Sequence, residues 1–134
     1  MKKETLRIGN IINFDGLPHK VVEVLEDRLH ICWTKADKEI FKVSYDEIEG
    51  IPIVEKWLVG FKKDRYGNPW ICLETHYLEL TVVGKYFYPV YVESAEMSAE
   101  TEQRVSLNRI EFLHELQNLF YILRQEELTL NINL

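Results

Sequence analysis

Only one stretch of this chain places apolar residues at helical spacing: Phe112, Leu113, Leu116, Leu119, Phe120 and Leu123. Elsewhere the apolar residues recur at every second position, in short runs separated by turn signals such as Asp15-Gly16, Asn68-Pro69 and Val83-Gly84-Lys85. Runs this short bury one face each, so they must curl into a small sheet or pack on another element. The expected class is therefore α+β: a small curved antiparallel sheet or SH3-like barrel at the N-terminus, then a β-meander packed on one long C-terminal helix.

The first lobe is expected over residues 1–50. Leu6, Ile8, Ile12 and Phe14 alternate on one face, Val22 and Val24 follow the turn, and Leu29, Ile31 and Trp33 oppose His30 and Cys32. Phe41 and Val43 mark a fourth strand. Ser44 and Glu47 have capping-box spacing and predict one helical turn ended by Gly50. A second lobe, 51–134, is expected to open with a short helix over Val54–Val59 and to continue as strands over Trp70–Thr75, Tyr77–Val83 and Tyr86–Val92. Pro89 cannot donate a ladder hydrogen bond, which predicts an edge or a bulge for the last of these. The long helix is expected from Arg109 to Glu126, with Asn108 and Glu111 as its N-cap pair. Alternation over Leu128, Leu130, Ile132 and Leu134 predicts a terminal strand.

Composition narrows the function classes. The chain has 134 residues and a formal net charge of -6, and 12% of it is aromatic, far above what a disordered chain carries. Residues 1–66 hold 12 Lys and Arg against 12 Asp and Glu, whereas residues 67–134 hold 4 against 10, so the acidity belongs to the second half. That half is a poor match for nucleic acid; the first half leaves nucleic acid open. No apolar run reaches the length of a membrane span, and the N-terminus is not a signal peptide, so a cytoplasmic protein is expected.

Catalytic signatures are weak. There is no Gly-x-Ser-x-Gly elbow, no phosphate loop and no carboxylate pair fixed at acid/base separation, so no enzyme activity and no cofactor are expected. His30-x-Cys32 and Cys72-x3-His76 each suggest a ligand pair on one strand face, and the four would make a tetrahedral metal site if their strands adjoined. The plainer reading is packing, since lone cysteines are commonly buried. His114 reads as a hydrogen-bonded helix-face histidine and His19 as a solvated turn residue.

Three segments read as contact surfaces. Tyr86, Tyr88 and Tyr91 lie in one strand whose alternation sends Tyr86 and Tyr88 opposite to Phe87 and Tyr91, so one set is either buried beneath the long helix or open to a protein partner or self-association. Glu93–Glu102, including Glu96 and Glu100, holds no Lys or Arg; it reads as a solvated loop or as a docking surface for a basic partner. Lys62, Lys63 and Arg65, flanked by Phe61, Tyr66 and Trp70, form the alternative: a basic loop with aromatics for nucleic-acid stacking.

Three sequence blocks carry a resemblance. Leu6-Arg7-Ile8-Gly9-Asn10, then Ile51 to Leu58, then His114 to Tyr121 with Glu126-Glu127-Leu128 look like a widespread group of short proteins from gut Bacteroidales and their phages or mobile elements. The blocks span nearly the whole chain in the same order. The resemblance implies a phage or mobile-element context and brings no activity or catalytic residue. This chain departs from the group at Val54, where the group usually has a capping Thr, and at Arg124-Gln125, where it usually has Thr-Gly, which predicts a longer helix here. The 92–105 region is also longer. For Gln117 and Asn118 on the helix flank, two roles remain: hydrogen bonding to a sheet edge such as the C-terminal strand, or partner binding. Together these readings predict a non-catalytic interaction or accessory protein, with a nucleic-acid-binding accessory factor as the alternative.

Overall fold

The computed structural model describes residues 1–93 and 103–130, apart from the side chains of 36–38. The chain divides into two compact units, one formed by Met1–Trp57 with Phe112–Leu134 and the other by Leu58–Glu111. The helix therefore returns to the first unit, a division the strand pattern does not announce. No helix among the described residues is long and apolar enough to cross a membrane.

In the first unit, β1 (Ile11–Phe14), β2 (Leu17–Val24), β3 (Leu29–Trp33), β4 (Ala36–Val43) and β5 (Ile48–Glu49) form one antiparallel sheet in the order β4-β3-β2-β1-β5. It curls into a half-barrel. Asp15 and Gly16 both take positive φ, 52° and 76°, and close a two-residue hairpin in which Phe14 faces Leu17. A register shift between Val21 and Glu23 turns the second strand, so Val21 is fully buried and Val22 only partly. Ile12, Val21, Leu29, Ile31, Val43 and Ile48 fill the concave face with Leu6. Each such side chain contributes roughly 1.5–3 kcal/mol on leaving water.

Ser44 and Glu47 behave as their spacing predicts. The Glu47 carboxylate accepts the Ser44 amide at 2.9 Å, and Tyr45–Glu47 form one 3₁₀ turn. What the spacing hides is β5, the two residues that then pair with β1. The Val54–Val59 helix is only a 3₁₀ turn, Glu55–Trp57, which seats Trp57 in a second apolar cluster with Ile11, Ile51 and Leu113.

The single α-helix among the described residues, α1, spans Leu113–Arg124. It starts later than Asn108 suggests because Ile110 exchanges two backbone hydrogen bonds with Phe87, both 2.8 Å, which keeps that stretch extended. The Phe112 amide is capped instead by the Glu115 carboxylate at 3.0 Å. The helix also stops before Glu126. Gln125 takes the left-handed position, φ 60°, that a glycine would usually fill, and its amide closes on the Tyr121 carbonyl at 2.7 Å. The longer helix expected from Arg124-Gln125 is thus not found. Leu128–Leu130 form no strand, and residues 131–134 lie outside the described residues.

In the second unit, β6 (Lys62–Lys63), β7 (Pro69–Leu73), β8 (His76–Val83), β9 (Tyr86–Glu93) and β10 (Gln103–Ser106) form an antiparallel sheet in the order β10-β9-β8-β7-β6. Pro89 is not in an edge strand, since β10 pairs with β9. It is tolerated because its nitrogen falls on the side where that pairing frays: Phe87 bonds Ile110, Pro89 accepts the Leu107 amide at 2.9 Å, and the regular ladder covers only Val90–Glu93. Leu73, Leu78, Leu80, Phe87 and Pro89 share the buried face of this sheet.

Candidate binding surface

The other face of the second sheet is built by pairing. Residues directly opposite in a ladder share a face. Lys62 faces Trp70, Trp70 faces Glu79, Cys72 faces Tyr77, Thr81 faces Tyr88, Val83 faces Tyr86, and Val92 faces both Tyr77 and Arg104. Apart from Val92, these residues are exposed or half-buried. One sheet face therefore carries Trp70, Tyr77, Tyr86 and Tyr88 in open or partly open positions. Trp70 and Tyr77 meet edge to face, centroids 5.7 Å apart, and with Asp64, Glu79 and Val92 they line a depression of about 240 Å³.

Cations lie on these rings. Lys62 Nζ is 5.5 Å from the Trp70 centroid, while Arg109 and Lys85 approach Tyr86 at 4.1 and 5.2 Å. Arg104 pairs with Glu79. The Asp64 carboxyl at the edge accepts the Asn68 and Tyr66 amides at 2.9 and 2.8 Å, and these backbone bonds hold it below the usual carboxylate range. Asn68 in turn accepts the Val82 amide at 3.1 Å, tying this turn to β8.

The sequence candidates scatter over this frame in an instructive way. Tyr86 and Tyr88 are on the open face. Tyr91 is on the reverse, stacked on His76 with centroids 5.1 Å apart, as alternation requires. Glu96 and Glu100 lie outside the described residues. The basic loop does not form one patch: Lys62 joins the aromatic face, Lys63 points to the opposite face, and Arg65 sits at the turn over Tyr66. The sequence does not point to Arg104, because Gln103–Ser106 contains one apolar residue, Val105, and gives almost no strand signal, and it places Arg109 at the start of the long helix, which begins instead at Leu113.

The Cys/His pairs separate. Cys72 and His76 flank a two-residue turn, Glu74-Thr75, in which Leu73 faces His76, so the cysteine and the histidine point to opposite faces. In the first unit, His30 pairs with Glu23 at 2.9 Å and Cys32 is buried beside it on β3. Among the described residues no three His, Cys, Asp or Glu side chains converge as a metal site would require. His19 is buried, not solvated: its Nδ1 donates to the Leu17 carbonyl at 2.9 Å, which turns the ring inward from the hairpin. His114 is also buried, and burial lowers its pKa from the ordinary 6.5, against a smaller opposing pull from Glu115.

Gln117 and Asn118 bind the sheet edge, at the entry to β1 and not at a C-terminal strand. Gln117 accepts the Ile11 amide at 2.8 Å and donates to the Gly9 carbonyl at 3.1 Å. Asn118 donates to the Thr5 carbonyl at 3.0 Å and accepts from Asn10 at 2.8 Å and Arg7 at 3.2 Å. Arg7 also forks onto Glu127 and lies 4.4 Å over Tyr121. The three sequence blocks of the resemblance thus meet as a scaffold within the first unit. Comparison with protein-family models, curated proteins and solved structures finds no match for the chain.

Proposed function

We propose that this chain is a non-catalytic interaction protein, an accessory protein of phage or mobile-element origin, that recognises a protein partner through the open face of its second sheet. The single supporting observation is the composition of that face: Trp70, Tyr77, Tyr86, Tyr88, Arg104 and Arg109 are the residue types that dominate binding energy at protein interfaces. All but Arg109, which lies over Tyr86 from the segment after β10, stand on an antiparallel ladder, so little backbone ordering opposes association. The origin rests on the sequence blocks alone.

A photo-crosslinking residue in place of Tyr88 tests the surface. One partner should be captured from host cells at Tyr88 and not at Ile122, a control on the exposed side of α1. Equal capture from both positions, or none at Tyr88, contradicts the reading. A second reading, single-stranded nucleic acid, is favoured by Lys62 lying over Trp70. It requires that a labelled single-stranded oligonucleotide bind at low salt and that Lys62→Glu weaken it; binding indifferent to Lys62 rules that version out.

A further inference from the structure

The mouth of the half-barrel in the first unit holds a pocket of about 220 Å³ lined by Phe14, Asp15, Leu17, His19, Trp33, Glu39 and Phe41. Drug-sized ligands occupy roughly 300–1,000 Å³. This cavity suits a head group or a single side chain. Its wall is aromatic: Phe14 and His19 meet edge to face at 5.4 Å, His19 and Phe41 at 5.8 Å, and Phe14 and Phe41 tilt at 6.1 Å. The ring positions are fixed, because Phe14 precedes a tight Asp15-Gly16 turn and His19 is anchored to Leu17.

Among the described residues that line the pocket, the charged side chains have one sign. Asp15 and Glu39 are both exposed, and the described lining includes no Lys or Arg. Glu39 lies in the strand register of Phe41 and Val43, so it extends from the core face toward the pocket while its carboxylate stays exposed. It sits in the bulged stretch of β4, where the register shifts between Cys32 and Trp33. Bulges commonly re-aim a side chain at a site. Elsewhere the protein lays its own cations over Tyr121, Trp57, Trp70, Tyr66 and Tyr86. At this pocket the rings and two carboxylates are assembled with no such cation among the described residues.

We infer that the pocket is a receptor for an alkylated ammonium group, held by the ring faces and by the field of Asp15 and Glu39. Aromatic walls attract a cation through the ring quadrupole and bind it best when its own hydration is weak, which favours quaternary ammonium over a bare, strongly hydrated ammonium. The inference does not rest on the open face of the second sheet.

The test is an NMR titration of the full chain with choline, with a peptide bearing trimethyl-lysine, and with 3,3-dimethylbutanol, the neutral isostere of choline. Resonances of Phe14, His19 and Phe41 should shift with at least one cation, and the isostere should bind about tenfold more weakly or worse. Tighter binding of the peptide than of choline assigns the cation to a partner protein; the reverse assigns it to a free metabolite. Asp15→Asn with Glu39→Gln keeps both shapes at exposed positions, and Asn tolerates the positive φ at residue 15. That variant should fold normally and lose most of the affinity. Equal binding of the isostere, unchanged affinity in the double variant, or no shift at the three rings overturns the inference.

Discussion

At the scale of single residues, His114 shows how burial becomes a pH dependence. Its folded-state pKa lies below 6.5, so between the two values the unfolded chain takes up a proton that the folded chain does not. The stability associated with a neutral His114 is complete above about pH 6.5 and is lost as pH falls below it, down to the folded pKa. Urea unfolding at pH 5 and pH 8 should show this loss, and His114→Leu should reduce it, because leucine carries no proton to exchange. Gly50 gives a steric counterpart. A Cβ at residue 50 would stand 2.5 Å from Phe112 Cγ, and Gly50→Ala should cost roughly 1–3 kcal/mol, read as a lower denaturation midpoint.

At the scale of elements, the attachment of α1 to the start of β1 is a set of polar substitutions for a strand partner. Gln117 bonds both a carbonyl and an amide of the Gly9–Ile11 backbone, as a neighbouring strand would. Gln117→Ala leaves the buried Ile11 amide without its acceptor and should destabilise the protein by about 1–3 kcal/mol. Denaturant unfolding with an unchanged slope would confirm that the loss is local.

The strands and their hairpins were legible in the sequence because alternation and two-residue turns are local signals. The entry to β1 was not. Leu6, Ile8, Ile12 and Phe14 read as one alternating run, yet Gly9 turns the chain at φ 97° and leaves Ile8 58% exposed; the turn is closed locally between Arg7 and Asn10, and Gln117 and Asn118, more than a hundred positions away, add bonds to Gly9 and Asn10. The ends of α1 failed for the same reason at one side, where Ile110 is held extended by Phe87, and for a local one at the other, where Gln125 adopts a conformation its residue type does not advertise. Of the candidate surface, Tyr86, Tyr88 and Lys62 could be named from the sequence. That they share a face with Trp70, Tyr77 and Arg104 depends on register across five strands, which no single run encodes.

At the scale of the whole molecule, the first unit is assembled from two ends of the chain, Met1–Trp57 and Phe112–Leu134, with Leu58–Glu111 as an inserted unit. Removing residues 112–134 takes away the bonds to Thr5, Gly9, Asn10 and Ile11 and strips Leu113 from the cluster of Ile11, Ile51 and Trp57. The truncated chain should lose the dispersed amide resonances of β1 and β2. Retention of that dispersion would show that the helix is dispensable to the half-barrel.

This division also separates two kinds of residue. Residues 6–10, 51–57 and 114–121 build the first unit's scaffold, and the aromatic, cation-bearing face belongs to the second unit. The most direct measurement is partner binding by the double variant Tyr88→Ser with Arg104→Glu, scored beside its unfolding midpoint. Both side chains are exposed on the open face, so stability should fall by no more than about 1 kcal/mol, the scale of the exposed Arg104–Glu79 pair that the charge reversal breaks, while capture of the partner crosslinked at Tyr88 is abolished. Undiminished capture by a folded double variant would contradict the assignment of the second sheet as the binding surface.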